Sequence, residues 1–190
     1  MARSGHNFVV NNVMSWLDKN DGEGILHHNL ENIEPHRIVP NHLKWGGPKM
    51  LIWRDFDNWL ASIIMKSYKM RPTRSWEDIP VYIDKVCKIY WAQQGEKRSP
   101  QHFVPHVPIH YEEFVKSQRY RKAVCAAVGG EYNEKMLNHV ATQANGSSFD
   151  GITLQGRGSE MDVLNRSKAI LKTEHKEFYL KILEEYGRGF

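Results

Sequence analysis

Residues 47–72 read GPKMLIWRDFDNWLASIIMKSYKMRP, and the class of fold turns on them. Ile52, Phe56, Trp59, Leu60, Ile63, Ile64 and Met70 recur at the three-and-four spacing of one helical face. Gly47 can cap such a helix and Pro48 suits its first turn. Arg71-Pro72 ends it, because a residue before proline is pushed out of the helical region. One helix over 48–70 is therefore expected.

Towards the N-terminus, Pro35, Pro40 and Pro48 mark 26–48 as a long irregular connection. Before it, Val9, Val13, Trp16 and Leu17 share a helical face that Asn20 to Gly24 interrupts. Towards the C-terminus, Ser75-Trp-Glu-Asp78 resembles a capping box, and Pro80 fits a first turn. Ile79, Tyr82, Ile83, Val86, Ile89 and Tyr90 continue that stripe to Gly95. Residues 96–110 hold Pro100, Pro105 and Pro108 and read as an extended arm. The run 102–109 is the one strand candidate, and its prolines confine it to an edge. Tyr111 to Val128 reads as one helix, Tyr132 to Ala144 as a short one, 145–158 as a glycine-rich loop, and Ser159 to about Tyr186 as a long last helix.

These elements predict an all-α fold. Five to six helices form an irregular bundle with long Pro-rich connections and a long C-terminal helix. Residues 1–158 make the globular domain, and 159–190 pack on it or serve association. The chain has 190 residues, 41% hydrophobic and 25% charged, which excludes a disordered tail and a collagen-like repeat. No run of about eighteen apolar residues predicts a membrane span. The start, MARSGHNFVVNN, lacks the features of a secretory signal. Two cysteines, Cys87 and Cys125, are too few for a disulfide framework, so a cytoplasmic or other reducing compartment, or a particle assembled there, is expected.

Positive charge is concentrated. Residues 37–76 carry eight basic and two acidic side chains, which steers towards anionic partners. Lys44, Lys49, Arg54, Lys66, Lys69, Arg71 and Arg74 lie among the large rings Trp45, Trp53, Trp59, Tyr68 and Trp76. Arg119, Arg121 and Lys122 form a second group around Tyr120. Such cations can contact phosphates or acidic protein while the rings stack. Residues 118–140 loosely suit a helix-turn-helix, but Glu131 and Glu134 in the would-be recognition helix repel phosphate, so an ordinary helical hairpin is expected.

Other chemistry is weaker. In HFVPHVPIH, residues 102–110, the prolines forbid a helix that would stack three imidazoles. Four extended residues span about 13 Å, too far for a shared metal. The stretch from Asp18 resembles a calcium loop but has Glu23 where glycine is needed. Glu31, Glu34, Asp55 and Asp57 suggest acidic magnesium ligands without a common helical scaffold. Gly156-Arg157-Gly158 is a weak anion-site candidate. No metal and no cofactor is expected.

In the last helix Met161, Leu164, Lys168, Leu171, His175, Phe178 and Ile182 trace a heptad seam. Leu164, Leu171, His175, Phe178 and Ile182 are its association candidates. No catalytic motif stands out. The expected role is a non-catalytic structural protein that docks through its basic aromatic surface into a larger assembly of nucleoprotein or viral type, or into its own oligomer. DNA or RNA binding is the first alternative, and a metal- or nucleotide-dependent hydrolase the second.

Overall fold

The computed structural model describes residues 6–17, 26–28, 49–70, 78–96, 107–139, 149–150, 154 and 156–187. Three short strands, β1 (Leu26–His28), β2 (Lys49–Trp53) and β3 (Val107–His110), pair in the order β1-β2-β3, all parallel. The fold is thus mostly helical, with a small parallel sheet, and not all-α. The seven described α-helices are α1 (His6–Trp16), α2 (Phe56–Met70), α3 (Asp78–Glu96), α4 (Tyr111–Lys116), α5 (Gln118–Val128), α6 (Arg166–Ile170) and α7 (Lys176–Tyr186).

The helix expected over 48–70 is two elements. Lys49–Trp53 is a strand, and the helix starts only at Phe56. A short apolar run cannot be told from the first turn of a buried helix by periodicity. Pairing on both sides decides it here, with Met50 and Ile52 turned to one core. β3 lies at a sheet edge, as its proline requires; Pro108 pairs with Leu51. Parallel β2 and β3 need a crossover, and α2 and α3 lie on that connection.

Two cores result. Val9, Val13 and Trp16 of α1 pack with Met50, Ile52, Ile109, Phe114, Val124 and Val128. Trp59, Leu60 and Ile64 of α2 pack with Ile83 and Val86 of α3, Ile170 of α6, and Tyr179, Ile182 and Tyr186 of α7. Each fully buried aliphatic or aromatic side chain contributes about 1.5–3 kcal/mol, so both cores stabilise the fold substantially. Segment 131–134 is pinned to α1: the Trp16 Nε1–H donates to Asn133 O at 2.7 Å and the Glu131 N–H to Trp16 O at 2.8 Å. Gly130 allows this approach, since a Cβ there would lie 2.9 Å from the Trp16 Cβ.

Three further helix expectations change. Tyr111 to Val128 breaks at Ser117, whose Oγ accepts from the Tyr120 N–H and caps α5. Residues 135–138 form a turn and no helix begins among the described residues 131–139, while 140–144 of the expected short helix lie outside the described residues. The long last helix is a 3-10 turn at Gly158–Glu160, then α6 and α7. Asn58 of α2 holds the bend before α6: its Nδ2 donates to Leu164 O at 3.0 Å and its Oδ1 accepts from Ser167 N at 3.1 Å. Between α6 and α7, Thr173 Oγ1 donates to Ile170 O and accepts from the His175 N–H. Local polar side chains outcompete a continuous helix at both points.

Candidate functional site

β2 and β3 end level with each other. The register pairs Trp53 with His110, and their rings stack at 3.9 Å between centroids, 5° from parallel. The next residues, Arg54-Asp55 and Tyr111-Glu112, therefore leave the sheet side by side, each pair leading into a helix. This is the carboxyl end of the two parallel strands.

Glu112 organises the corner. Its Oε1 accepts from Arg54 Nε at 3.0 Å, and its Oε2 accepts the Asp55 backbone N–H at 3.1 Å. His110 Nε2 lies 3.0 Å from Asp55 Oδ1 and 3.3 Å from Glu112 Oε2. One ligand atom from each of Asp55, His110 and Glu112 falls within 4.8 Å of the others. The Tyr120 hydroxyl accepts the His110 N–H and donates to Pro108 O, tying α5 to this strand end.

Arg54 is 5% exposed. Its guanidinium lies 4.6 Å over the Tyr111 ring, and Nη1 reaches Ser62 Oγ of α2 at 3.4 Å. Its Nη2 is buried with no hydrogen-bond partner. A second buried arginine approaches from α6. Arg166 donates to Asp150 Oδ2 at 3.1 Å and lies 4.6 Å over the Phe149 ring. Burial holds the Arg166 guanidinium below its usual pKa; Tyr111 and Asp150 oppose that shift, while the Arg54 charge adds to it. Burial likewise pushes the Tyr111 hydroxyl up, against the pull of the two arginines. The corner thus holds two desolvated cations close together, one with an unused donor.

Of the expected docking residues that are described, Lys66 and Arg121 are buried, while Lys69, Arg119 and Lys122 are exposed. Lys44, Arg71, Arg74 and Trp76 lie outside the described residues. Lys49 opens β2. Lys66 is buried, its Nζ lacking a hydrogen-bond partner. Lys69 is exposed and donates to Phe149 O at 3.0 Å. Trp59 is sealed in the second core. Arg119 is exposed, and the Lys122 ammonium lies 5.5 Å over the Tyr132 ring. Arg121 is buried, 7% exposed. It donates from Nη1 to Phe114 O and Val115 O, from Nη2 to Glu134 and from Nε to the Tyr132 hydroxyl. It is a structural cap for the end of α4.

The association residues also divide. Leu164 and Leu171 are exposed, at turn and helix-end positions. His175 stacks on Tyr68 at 4.0 Å, Phe178 meets Tyr68 edge-on, and Ile182 is buried in the second core. Cys87 and Cys125 are buried free thiols, and burial pushes Cys87 up to about 12. Among the described residues no helix is long and apolar enough to cross a membrane.

In the sequence Asp55 and His110 stand in separate patterns, and Glu112 belongs to no motif. A signal exists: two short apolar runs, MLIW and VPIH, each lead straight into ionisable residues and a helix. Only strand pairing brings the two runs together. No family profile matches the chain, and no curated protein or solved structure matches it.

Proposed function

We propose that the chain is a ligand-binding protein of enzyme type, taking a small molecule with a phosphate or sulfate group at the carboxyl end of its sheet. This is the nucleotide-dependent alternative of the sequence reading, moved to a site defined by strand pairing. The observation that carries it is the Arg54 guanidinium, buried, oriented by Glu112, with Nη2 unsatisfied. A buried donor without an acceptor costs about 1–3 kcal/mol, so a group that supplies the acceptor recovers that energy. A tetrahedral oxyanion matches the guanidinium fork and its charge. The Ser62 hydroxyl adds a second polar group beside it, and the His110–Asp55 pair supplies acid–base groups at the same strand ends.

Thermal melts and calorimetry with sulfate, phosphate, AMP and ADP test the reading. An anion at ~100 times its Kd stabilises the fold by about 2.7 kcal/mol. Arg54→Lys keeps the charge and loses the fork. Because a charge-assisted hydrogen bond is worth about 1.5–3 kcal/mol, its affinity falls at least ~10-fold. Absence of stabilisation by any of these anions, or equal affinity in a folded Arg54→Lys protein, overturns the reading.

Docking into a larger protein assembly is a second reading. It is favoured by Leu164, Leu171 and Leu180, which are 36–40% exposed along the C-terminal segment. Native mass spectrometry of the wild type against Leu171→Asp tests it; a wild type that is monomeric and free of any partner ends it.

A further inference from the structure

We propose that Asp55, His110 and Glu112 form a binding site for one divalent transition-metal ion, zinc being the best match to their donors. The site's geometry stands without the anion site at Arg54, whereas its charge balance rests on that reading. In a tetrahedral zinc site with bonds of about 2.0–2.2 Å, neighbouring ligand atoms lie about 3.3–3.6 Å apart. His110 Nε2 is 3.0 Å from Asp55 Oδ1 and 3.3 Å from Glu112 Oε2. A few tenths of an ångström of opening at Asp55 brings both His110 distances into that range; the three ligand atoms all lie within 4.8 Å of one another, and the Asp55 side chain, 50% exposed, has room to adjust.

The supports that orient such ligands are present. The Trp53 ring fixes the plane of the His110 imidazole. Arg54 Nε and the Asp55 N–H hold the two oxygens of Glu112. Metal-bound carboxylates are characteristically hydrogen-bonded in this way by surrounding groups. One imidazole with two carboxylates suits zinc or manganese better than calcium or magnesium, which take oxygen ligands. Three protein ligands leave a coordination position open.

Charge supplies a second reason. With His110 neutral, the carboxylates of Asp55, Glu112 and Asp150 against the guanidiniums of Arg54 and Arg166 sum to one negative charge, which repels the anion that the spare Arg54 Nη2 calls for. A divalent ion turns the sum to one positive charge, so metal and guanidinium attract the same ligand.

The experiment uses the full chain, stripped with EDTA, dialysed and titrated with zinc chloride by calorimetry and tryptophan fluorescence. One equivalent is expected at a site that Asp55→Asn and His110→Gln each weaken at least ~100-fold, since changes in the supporting groups by themselves cost about 10–100-fold. Magnesium at the same concentration leaves the signals unchanged. A wild-type readout guards against misfolded variants: the first equivalent of zinc shifts the ring-nitrogen NMR resonances of His110 ahead of the other histidines. No zinc bound, zinc bound equally by both folded variants, or zinc arriving first at another histidine overturns the site. Sulfate binding is measured with and without zinc. Sulfate bound in an Arg54-dependent way by a chain that takes no zinc removes the metal and leaves the anion site. Zinc bound at this site by a chain that takes no anion in either state does the reverse.

Discussion

Arg54 and Arg121 are both buried arginines paired with a glutamate, and they do different things. Arg121 has an acceptor for each of its guanidinium nitrogens, including two carbonyls at the end of α4. Its partner Glu134 is 41% exposed. It closes a helix end and leaves no guanidinium nitrogen without an acceptor. Arg54 is sealed on both sides of its pair, at 5% and 8% exposure, yet retains an unused Nη2. The contrast shows that burial and ion pairing do not by themselves mark a site. The proposed anion site rests instead on the unspent donor together with its place at the end of parallel strands.

The largest effect that can break this comparison is Glu112→Ala. Removing one partner of a buried pair costs about 3–5 kcal/mol, because the other charge stays desolvated; urea denaturation measures it. The double substitution Arg54→Met with Glu112→Leu recovers most of that loss, since an apolar pair replaces a buried ionic one, while anion binding is abolished. A double variant as unstable as the single one shows that the pair is mainly structural, as at Arg121.

Next in size is Arg121→Met, expected to cost about 2–3 kcal/mol, because the Phe114 and Val115 carbonyls lose their donor. Sulfate affinity should be unchanged in this variant. A parallel loss of affinity would erase the distinction between the two arginines.

The smallest effect concerns pH. Hydrogen bonds from Tyr132, and next from Arg121, hold the Glu134 carboxyl below its ordinary value of 4.5. A carboxylate with a depressed folded pKa contributes stability above its unfolded pKa, and that contribution is lost as pH falls through the folded value. In Arg121→Met the Glu134 pKa should rise part of the way towards 4.5, with the Tyr132 bond still in place; NMR titration of the side-chain carboxyl measures this. An unchanged value would mean that Arg121 does not act on Glu134 in solution.

Much of the helical content was legible. α1, α3 and the body of α2 follow the apolar spacing of Val9, Val13 and Trp16, of Ile79, Ile83 and Val86, and of Trp59, Ile63 and Ile64. The breaks were not. Whether 159–186 bends depends on Asn58, more than a hundred residues away, reaching Leu164 and Ser167. The candidate site was legible only in pieces. Within 102–110 the histidines are too far apart along an extended chain to share an ion, and that remains sound. His110 meets Asp55 and Glu112 instead, because β3 lies beside β2 in register.

By itself the sequence determined the helical character of α1, α3 and the body of α2, where proline confines a strand to an edge, and that no long apolar stretch is present. Those properties rest on interactions within a few residues, whose spacing is written in the chain. Tertiary structure decided the sheet, the burial of Arg54, Lys66 and Arg121, and the meeting of Asp55, His110 and Glu112. Each of these depends on which strand pairs with which and in what register, and that choice is made by packing two cores at once.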